Sequence, residues 1–226
     1  MRILVVAATD PEVSVLVRKL GRVRQQRDRL AEYVCAEHSV HILTTGVGMV
    51  ATAAWCSREF SASRYDLALN VGLCGSFDLS LVPGTVVHVV SDCLPELGAE
   101  DGDRFVPLEE LGLEDRLDAR FGCPELRNPA PPKIGVLERL PKAKGITVNT
   151  VHGHERSIAA VVERLHPQVE SMEGAAFMYA CLMHEVPFAQ IRAVSNVVER
   201  RNRGAWKVQE AIAALGETAF EVMTGS

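Results

Sequence analysis

The segment Val169–Asn196, VESMEGAAFMYACLMHEVPFAQIRAVSN, contains two apolar strand patterns separated by a run of small residues typical of a helix. A strand, a helix and a second strand in this order predict an α/β unit with both strands in one sheet. Glu173 follows the first strand pattern and Asn196 follows the second. A carboxylate can bind sugar hydroxyls and an amide can bind the edge of a purine, so these two residues predict a nucleoside site.

The same alternation of short apolar strands and helical patterns extends along the whole chain. Near-continuous apolar strands are typical of a sheet that helices cover on both faces. We therefore expect an α/β fold, a three-layer α/β/α sandwich around a central mixed, twisted sheet. The predicted strands are Ile3–Ala8, Val40–Thr45, Leu67–Val71, Thr85–Ser91, Gly145–Asn149, Val169–Met172 and Phe188–Val194. The predicted helices are Pro11–Leu20, Met49–Phe60, His154–Leu165, Gly174–His184 and Ala205–Met223.

Residues 1–226 are expected to form a single domain, because this length suits one large core better than two. An irregular insertion around residues 95–133, rich in Asp, Glu and Pro, interrupts the pattern. It is predicted to contain a short helix at Leu108–Phe121. A long irregular segment is often a lid or a binding loop, and a surface excursion or subunit contact is the equal alternative.

Composition narrows the classes of partner. The net charge is −5, so no nucleic-acid partner is expected, and the basic residues from Arg18 to Arg29 are interpreted as a helix end and a hairpin. The opening run Met1–Asp10 is too short for a secretory signal, and no stretch approaches the roughly 20 apolar residues of a membrane span, so no membrane partner is expected. The six cysteines include no C-x-x-C pair, which favours reduced thiols and a cytoplasmic location.

Two glycine-rich stretches follow predicted strands. Thr44–Ala51 contains G-x-G-x-x-A, a dinucleotide-binding pattern, but Asp66 precedes the next strand instead of ending it, which argues against that cofactor. We interpret Gly46 and its neighbours as a tight turn where backbone approaches a ligand or a neighbouring strand. In Asn70–Ser76 a buried strand is expected to end in a glycine-rich turn, and Gly75 would let a flat ligand lie against the main chain.

Two further features are weak indications of chemistry. Cys74 lies among apolar residues with no base beside it, so a nucleophilic thiol is not expected. His152 and His154 are two residues apart without a Cys or Asp cluster, so no metal is predicted, and no cofactor is predicted either. Both histidines are expected at the junction between a loop and a helix.

Glu12, Glu173 and Asn196 each have a simpler explanation than a binding site. The helix dipole favours an acid in the first turn of a helix, and asparagine is a common N-cap. All three, however, follow predicted strands, and ligands of open α/β sheets bind at the carboxyl ends of strands. This coincidence favours a binding site.

The order and spacing of five motifs resemble the purine nucleoside phosphorylase and nucleosidase superfamily over almost the whole chain outside the insertion. Within it, the closing run SNVVERRNRGAW at Ser195–Trp206 is most similar to the futalosine hydrolases, which release hypoxanthine from futalosine in the menaquinone pathway. The resemblance implies a nucleoside phosphorylase-like fold, a small-molecule nucleoside substrate and homo-oligomers. The motifs are DPE at Asp10–Glu12, TTGVGMVATAA at Thr44–Ala54, NVGLCGSFD at Asn70–Asp78, ESMEGAAF at Glu170–Phe177 and RAVSN at Arg192–Asn196.

The resemblance also implies roles for particular residues. Glu12 matches the carboxylate that activates the attacking water, and Glu173 matches the acceptor of ribose hydroxyls, beside which Met172 packs. Asn196 would stabilise the departing base. The other residues expected to line the substrate are Gly46, Leu73, Cys74, Gly75, Val151 and His152.

Three departures from the superfamily pattern bear on the subclass. Asn196 stands where enzymes acting on adenine nucleosides have Asp, and a neutral amide that donates to O6 and accepts from N7–H suits hypoxanthine. Thr9–Glu12 occupies the place of the phosphate-binding loop of the phosphorylases, and its acidic side chains favour water as the nucleophile. Ser171 stands where the adenosine-type nucleosidases have Glu.

Three alternative functions remain. They are a methylthioadenosine/adenosylhomocysteine nucleosidase or a phosphorylase of the same fold, an inert nucleoside-binding module, and a dinucleotide-dependent oxidoreductase. Glu12 and Glu173 together argue against an inert module, since binding alone needs no base at the anomeric carbon. The benzoate of futalosine requires a cation, for which Arg104, Arg201 and Arg203 are candidates.

Overall fold

The computed structural model of the protein describes residues 1–113 and 125–225. The chain forms a mixed α/β fold, which confirms the class expected from the sequence pattern. The strands are β1 (Arg2–Ala7), β2 (Gln25–Arg27), β3 (Leu30–Cys35), β4 (His38–Thr44), β5 (Leu67–Ser76), β6 (Val86–Cys93), β7 (Gly98–Asp101), β8 (Arg104–Pro107), β9 (Glu125–Arg127), β10 (Lys142–Thr147), β11 (Val169–Ser171) and β12 (Phe188–Val197). The helices are α1 (Asp10–Leu20), α2 (Met49–Ala62), α3 (Leu108–Leu111), α4 (Gly135–Arg139), α5 (Glu155–Leu165), α6 (Gly174–Met183) and α7 (Val208–Thr224).

Outside the insertion, every predicted strand and helix has a counterpart, and most boundaries differ by a few residues. The helix predicted from Ala205 begins at Val208, because Arg203–Ala205 forms a separate 3-10 turn. The basic residues after α1 lie partly in a β2–β3 hairpin, as interpreted from the sequence.

The insertion around residues 95–133 is more regular than expected. β7 and β8 form an antiparallel hairpin, and β9 pairs with β6. The helix predicted at Leu108–Phe121 is a single turn, α3, which ends at Leu111 before Gly112. Residues 114–124, which include the rest of that prediction and Cys123, lie outside the described residues.

The sheet places β5 at its centre. β1 lies between β4 and β5 and is parallel to both, and β5 is also parallel to β12. β12 pairs antiparallel with β6, so the sheet is mixed. β11 pairs with β10 on one side and with β5 on the other, which closes β5, β12, β6, β10 and β11 into a ring. The ring differs from the open sheet assumed in the sequence analysis. It includes β12, which contains Asn196, and β11, after which Glu173 follows.

β5 corrects the prediction of a glycine-rich turn after Val71, because the strand continues to Ser76. Its glycines serve close packing instead. A Cβ on Gly72 would lie 2.1 Å from Nη1 of Arg192, and a Cβ on Gly75 would lie 2.8 Å from Cγ2 of Val198. The missing side chains therefore let neighbouring groups pack directly on the strand.

The core divides between the two faces of β1, because successive side chains of a strand point to opposite faces. Ile3 and Val5 belong to a buried cluster that includes Leu16 of α1 and Leu215 of α7. Leu4 and Val6 belong to another cluster, which includes residues of α2 and α6 such as Cys56 and Phe177. The helix pairs α1–α7 and α2–α6 thus cover different faces of this strand.

The five described cysteines are free thiols, four of them buried, at positions 35, 56, 74, 93 and 181. Burial raises the pKa of the Cys93 thiol to about 12, which keeps it protonated. Within the described parts of the chain, no helix is long and apolar enough to cross a bilayer.

The contact between α1 and α7 depends on Gly216, where a Cβ would lie 2.5 Å from Cβ of Val15. Gly216→Ala is expected to lower the free energy of unfolding by about 1–3 kcal/mol through overpacking, although alanine favours helices. Urea unfolding measures this change. Gly135→Ala, at an exposed helix position with only the flexible end of Arg139 nearby, is the control and should not destabilise the protein. Equal stability of Gly216→Ala and wild type would contradict the close packing.

Candidate active site

Glu12 connects the end of β1 to the middle of β5. Its Oε2 accepts hydrogen bonds from the backbone N–H of Thr9, at 2.9 Å, and from the Thr9 hydroxyl, at 3.0 Å. Its Oε1 accepts from the backbone N–H of Leu73 at 3.1 Å. The contact with Thr9 is typical of an acid in the first turn of a helix, whereas the contact with Leu73 fixes the carboxylate against the central strand.

Glu173 lies between β11 and α6 and is 6% exposed. Its Oε1 accepts a hydrogen bond of 3.0 Å from the backbone N–H of Gly48. Gly46 and Gly48 have φ of 90° and 98°, values that favour glycine, so this turn aims an N–H at the carboxylate. Burial raises the pKa of Glu173, and the charge of Glu12 adds to this increase, whereas Arg192 and the Gly48 N–H oppose it. The two carboxylates are therefore close enough to repel each other.

Arg192 in β12 is the residue that the sequence analysis overlooked. It is 1% exposed, and its Nη1 lies 3.6 Å from Oε2 of Glu173. Its Nε donates to Oε1 of Gln190 at 3.0 Å, and its Nη2 donates to Oδ1 of Asn70. A Cβ on Gly72 would lie next to both the Arg192 guanidinium and, at 3.0 Å, Oε1 of Glu12. The guanidinium thus lies beside both carboxylates, and the one sequence signal for it was a charged residue within an apolar strand pattern.

A chain of buried polar groups continues behind Arg192. The amide of Gln190 donates to Oδ2 of Asp92 at 3.1 Å, and the hydroxyl of Thr147 donates to Oδ1 at 2.9 Å. The backbone N–H of Ala175 donates in turn to the Thr147 hydroxyl at 2.7 Å, near the start of α6. Burial raises the pKa of Asp92 to about 6, against the hydrogen bonds that favour its charged form. These hydrogen bonds connect β12, β6 and β10 to α6, the helix that follows Glu173.

Asn196 lies within β12, which continues to Val197, so the N-cap explanation for this residue is wrong. The pairing of β12 with β5 shifts register between Val194 and Asn196, which is where a β-bulge re-aims a side chain. The Ser195 hydroxyl donates to Oδ1 of Asn196 at 2.7 Å, and Nδ2 donates to the Val197 carbonyl at 2.9 Å. An amide has two N–H donors and two acceptor lone pairs, so donor and acceptor capacity remain for a ligand.

Asn196 lines a cavity of about 120 Å³. Gly75 of the same cavity lies two residues along β5 from Leu73, whose N–H binds Glu12, which is about 7 Å in a strand. The cavity and the carboxylates are therefore neighbouring parts of one site. The lining residues are Gly75, Val151, His152, Gly153, Glu170, Asn196, Glu199, Arg201 and Trp206.

The two histidines have different surroundings. His152 donates its backbone N–H to Oε1 of Glu170 at 3.1 Å, and its Nδ1 lies 2.7 Å from Oε2 of the same carboxylate. Glu170, a second residue that the sequence analysis did not assign, is 4% exposed. His154 is the exposed N-cap of α5 and accepts from the backbone N–H of Arg156. Among residues 1–113 and 125–225, no three His, Cys, Asp or Glu side chains are grouped to hold a metal ion.

Cys74 and Met172 were also expected to line the substrate. Cys74 is 3% exposed and packs in a core cluster with Val87 and Val194, so it offers a ligand its backbone alone. Burial raises the pKa of this thiol to about 12, which argues against a nucleophilic role. Met172 is half-buried next to Glu173.

All three candidate arginines for a substrate carboxylate have defined positions, and Arg203 lies exposed in the 3-10 turn, outside the cavity lining. Arg104 forms an ion pair with Glu110 in the insertion, away from the cavity lining. Arg201 lines the cavity, and its guanidinium lies 5.4 Å from the centre of the Trp206 ring. Arg201 is therefore the member of the set that the structure brings to the site.

Asp92 makes stability depend on pH. Because burial raises its pKa from 3.8 to about 6, the folded protein binds this proton more tightly than the unfolded chain does. Its stabilising contribution is fully present below about pH 4 and is lost as the pH rises to about 6, a change of about 3 kcal/mol. Urea unfolding at several pH values should show a clearly smaller fall in Asp92→Asn than in wild type, and the raised pKa of Glu173 accounts for part of the fall that remains. Asp101→Asn, at an exposed position, should retain the wild-type fall, and parallel curves for all three proteins would contradict the assignment.

Comparison with known proteins relates this geometry to a family. The model of the phosphorylase superfamily matches residues 2–225. The chain is 34% identical to a futalosine hydrolase of Streptomyces coelicolor over 77% of this chain and 74% of that protein. It is 32% identical to a futalosine hydrolase of Thermus thermophilus, with 80% of each chain covered. It is 27% identical to a 5'-methylthioadenosine/S-adenosylhomocysteine nucleosidase of Bacillus cereus over 98% of this chain and 97% of that protein.

Solved structures share the fold. A 5'-methylthioadenosine/S-adenosylhomocysteine nucleosidase from Colwellia psychrerythraea in complex with adenine superposes with a TM-score of 0.82 at 20% identity, covering 100% of this chain and 95% of that chain. A futalosine hydrolase mutant from Helicobacter pylori superposes with a TM-score of 0.83 at 11% identity, with 99% of each chain covered. Because the family model spans residues 2–225 and the relatives above 30% identity are N-glycosyl hydrolases, the chain belongs to the phosphorylase superfamily and is an enzyme of its N-glycosyl hydrolase branch.

Proposed function

We propose that the protein hydrolyses the N-glycosidic bond of futalosine, releasing hypoxanthine and dehypoxanthine futalosine in menaquinone biosynthesis. The observation that carries the proposal is the juxtaposition of two carboxylates, Glu12 and Glu173, with a cavity that presents the neutral amide of Asn196. The relatives named futalosine hydrolase support the choice of substrate. The proposal includes a single domain over residues 1–226, a three-layer α/β/α arrangement, a cytoplasmic location, and no metal or cofactor.

The reaction separates charge along the bond that breaks. When C1'–N9 breaks, its electron pair stays with the purine, and the ribosyl ring becomes positive, as in other glycoside hydrolyses. The oxygen of the attacking water bonds to C1', and Glu12 takes the proton that the water loses. Glu173 accepts hydrogen bonds from the ribose hydroxyls, and its negative charge lies near the cationic ring. Arg192, fixed 3.6 Å from Glu173, holds that carboxylate in place and keeps two acids in one small site.

The base is selected by the chemistry of Asn196. Its N–H can donate to O6 of hypoxanthine while its oxygen accepts from N7–H. Adenine presents an amino group at C6, which is a donor, so the same amide orientation would place two donors together. A buried contact between two hydrogen-bond donors disfavours adenine strongly, because both donors lose their water partners.

The segment Thr9–Glu12 favours water as the nucleophile. Asp10 and Glu12 lie at the start of α1, where a phosphorylase needs groups that attract phosphate. Asp10 accepts a hydrogen bond from the Thr44 hydroxyl at 3.0 Å, so its carboxylate is held at this edge of the site. Two acids here would repel an anion.

The nearest competing function is a methylthioadenosine/adenosylhomocysteine nucleosidase. The alignment with such an enzyme over 98% of this chain supports it, although at a lower identity of 27%. The neutral side chain at position 196 argues for the oxygen-bearing purine instead. The two functions share the chemistry at C1' and differ in the base that leaves.

A homo-oligomer is part of the proposal and is supported by an apolar surface beside the site. Val47 and Val50, at the start of α2, are 57% and 83% exposed, and Met183 at the end of α6 is 45% exposed. Gly48, between the two valines, donates its backbone N–H to Glu173, so this apolar pair lies beside the site, whereas the end of α6 contacts a later part of α2. Apolar groups at such positions are often covered by a second subunit.

The function is tested by incubating the protein with futalosine, inosine and methylthioadenosine, with and without phosphate, and measuring the free base by chromatography. Hypoxanthine should appear from futalosine, independently of phosphate and without a sugar phosphate. Asn196→Asp should shift the preference towards methylthioadenosine by roughly ten- to a hundredfold, because a carboxylate can accept from the 6-amino group. Faster release of adenine by wild type, or formation of a sugar phosphate, would overturn the proposal.

The role of Glu12 is tested by Glu12→Gln, which keeps the size of the side chain. With futalosine, kcat should fall by about 10²- to 10⁴-fold with little change in KM, since the base is lost and the binding contacts remain. Glu221→Gln, at an exposed position of α7, is the matched control and should behave as wild type. An unchanged kcat in Glu12→Gln would remove this residue from the mechanism.

A further inference from the structure

The cavity that Asn196 lines, in which we propose that the purine base binds, is called the base cavity below. Its wall contains a carboxylate–imidazole pair to which the proposed mechanism gives no role. Glu170 is 4% exposed and receives two groups of His152, the backbone N–H at 3.1 Å and Nδ1 at 2.7 Å. This double contact fixes both the loop and the ring. With Nδ1–H directed to the carboxylate, Nε2 is the ring nitrogen that can exchange a proton with a ligand.

The pair lies next to Asn196. The position that a Cβ on Gly75 would occupy is 3.5 Å from Nδ2 of Asn196 and 3.5 Å from Cγ of Glu170. Both side chains therefore flank the same residue of β5, and both line the cavity together with His152. A purine bound by the amide of Asn196 is within reach of the imidazole.

The proposed reaction leaves the purine with an extra electron pair, which a proton must neutralise. A carboxylic acid could supply that proton, but the amide of Asn196 can only donate a hydrogen bond and cannot release a proton at neutral pH. Replacing the Asp of the adenine-type enzymes by Asn therefore removes an acid from the site. If the leaving base is to be protonated, another group has to provide the proton.

Among the described residues that line the cavity, the titratable or charged side chains are His152, Glu170, Glu199 and Arg201. Arginine keeps its proton, and Glu199 is exposed. The carboxylate of Glu170 is occupied by His152. His152 is the remaining candidate, and imidazole is the side chain that commonly transfers protons near neutral pH.

We infer that His152 is the general acid that protonates the departing purine, and that Glu170 is the positioning residue that orients its ring. This inference rests on the proposed function. The proton on Nε2 moves to a ring nitrogen of the purine as the C1'–N9 electron pair moves onto the base. Water adds to C1' and gives a proton to Glu12. Glu12 then releases that proton to solvent and solvent returns one to His152, so atoms and charges balance.

The first test compares two leaving groups in His152→Asn. With futalosine, kcat should fall by about 10²- to 10³-fold, the range expected for loss of a general acid. With 4-nitrophenyl β-D-ribofuranoside, whose phenolate leaves without a proton, the rate should stay within a few-fold of wild type. His154→Asn, at the exposed N-cap of α5 where asparagine also caps well, is the matched control and should retain both rates. Equal losses on both substrates in His152→Asn would overturn the assignment and leave His152 a structural role.

The second test is independent of the artificial substrate. Glu170→Gln removes the carboxylate that holds Nδ1 of His152, while Glu199 and Arg201 stay in place. With futalosine, kcat should fall by about 10²-fold while KM stays within a few-fold of wild type, since the acid is misplaced and the contacts of Asn196 remain. An unchanged kcat, or a loss confined to KM, would overturn the role of the pair. Absence of hypoxanthine release by wild type would overturn the proposed function itself, whereas release with an unchanged kcat in Glu170→Gln would overturn only this inference.

Discussion

The buried guanidinium of Arg192 is the constraint around which the site is organised. A charge that is 1% exposed is tolerated only with close partners, and removing one partner of such a pair costs about 3–5 kcal/mol. Its partners are Glu173, Gln190 and Asn70, which come from three separate parts of the chain. Gly72 supplies the necessary space, because any side chain there would occupy the position of the guanidinium. Binding this one group therefore requires β5, β12 and the start of α6 to be correctly placed.

β5 connects the two halves of the site because it continues through Gly75 to Ser76. Its middle offers the Leu73 N–H to Glu12, and its end borders the base cavity, where β11 pairs with it and closes the ring. The same strand therefore sets the separation between Glu12 and the cavity. A rigid, paired strand defines such a distance better than the turn expected from its glycines.

The charges of the site suit the glycosidic cleavage that we propose for it. In that proposal the two acids face the sugar, which becomes positive, and the neutral amide with its adjacent imidazole faces the base, which becomes negative. Burial raises the pKa of Glu173 and the charge of Glu12 adds to this increase, whereas Arg192 and the Gly48 N–H oppose it. Electrostatic preorganisation of this kind is the largest single contribution to the rate enhancement in many enzymes.

The sequence by itself determined the mixed α/β class, nearly all strands and helices outside the insertion, and three polar residues after strand patterns that the fold brings to one region. These follow from local periodicity and from small sets of neighbouring residues. The tertiary structure alone decided the extension of β5, the ring, and the places of Arg192 and Glu170. Val169 pairs with Ser76 across 93 residues of chain, and Arg192 binds Asn70, which is 122 residues away. Pairing and charge neutralisation at such separations depend on which strands become neighbours, and local sequence patterns do not encode that choice.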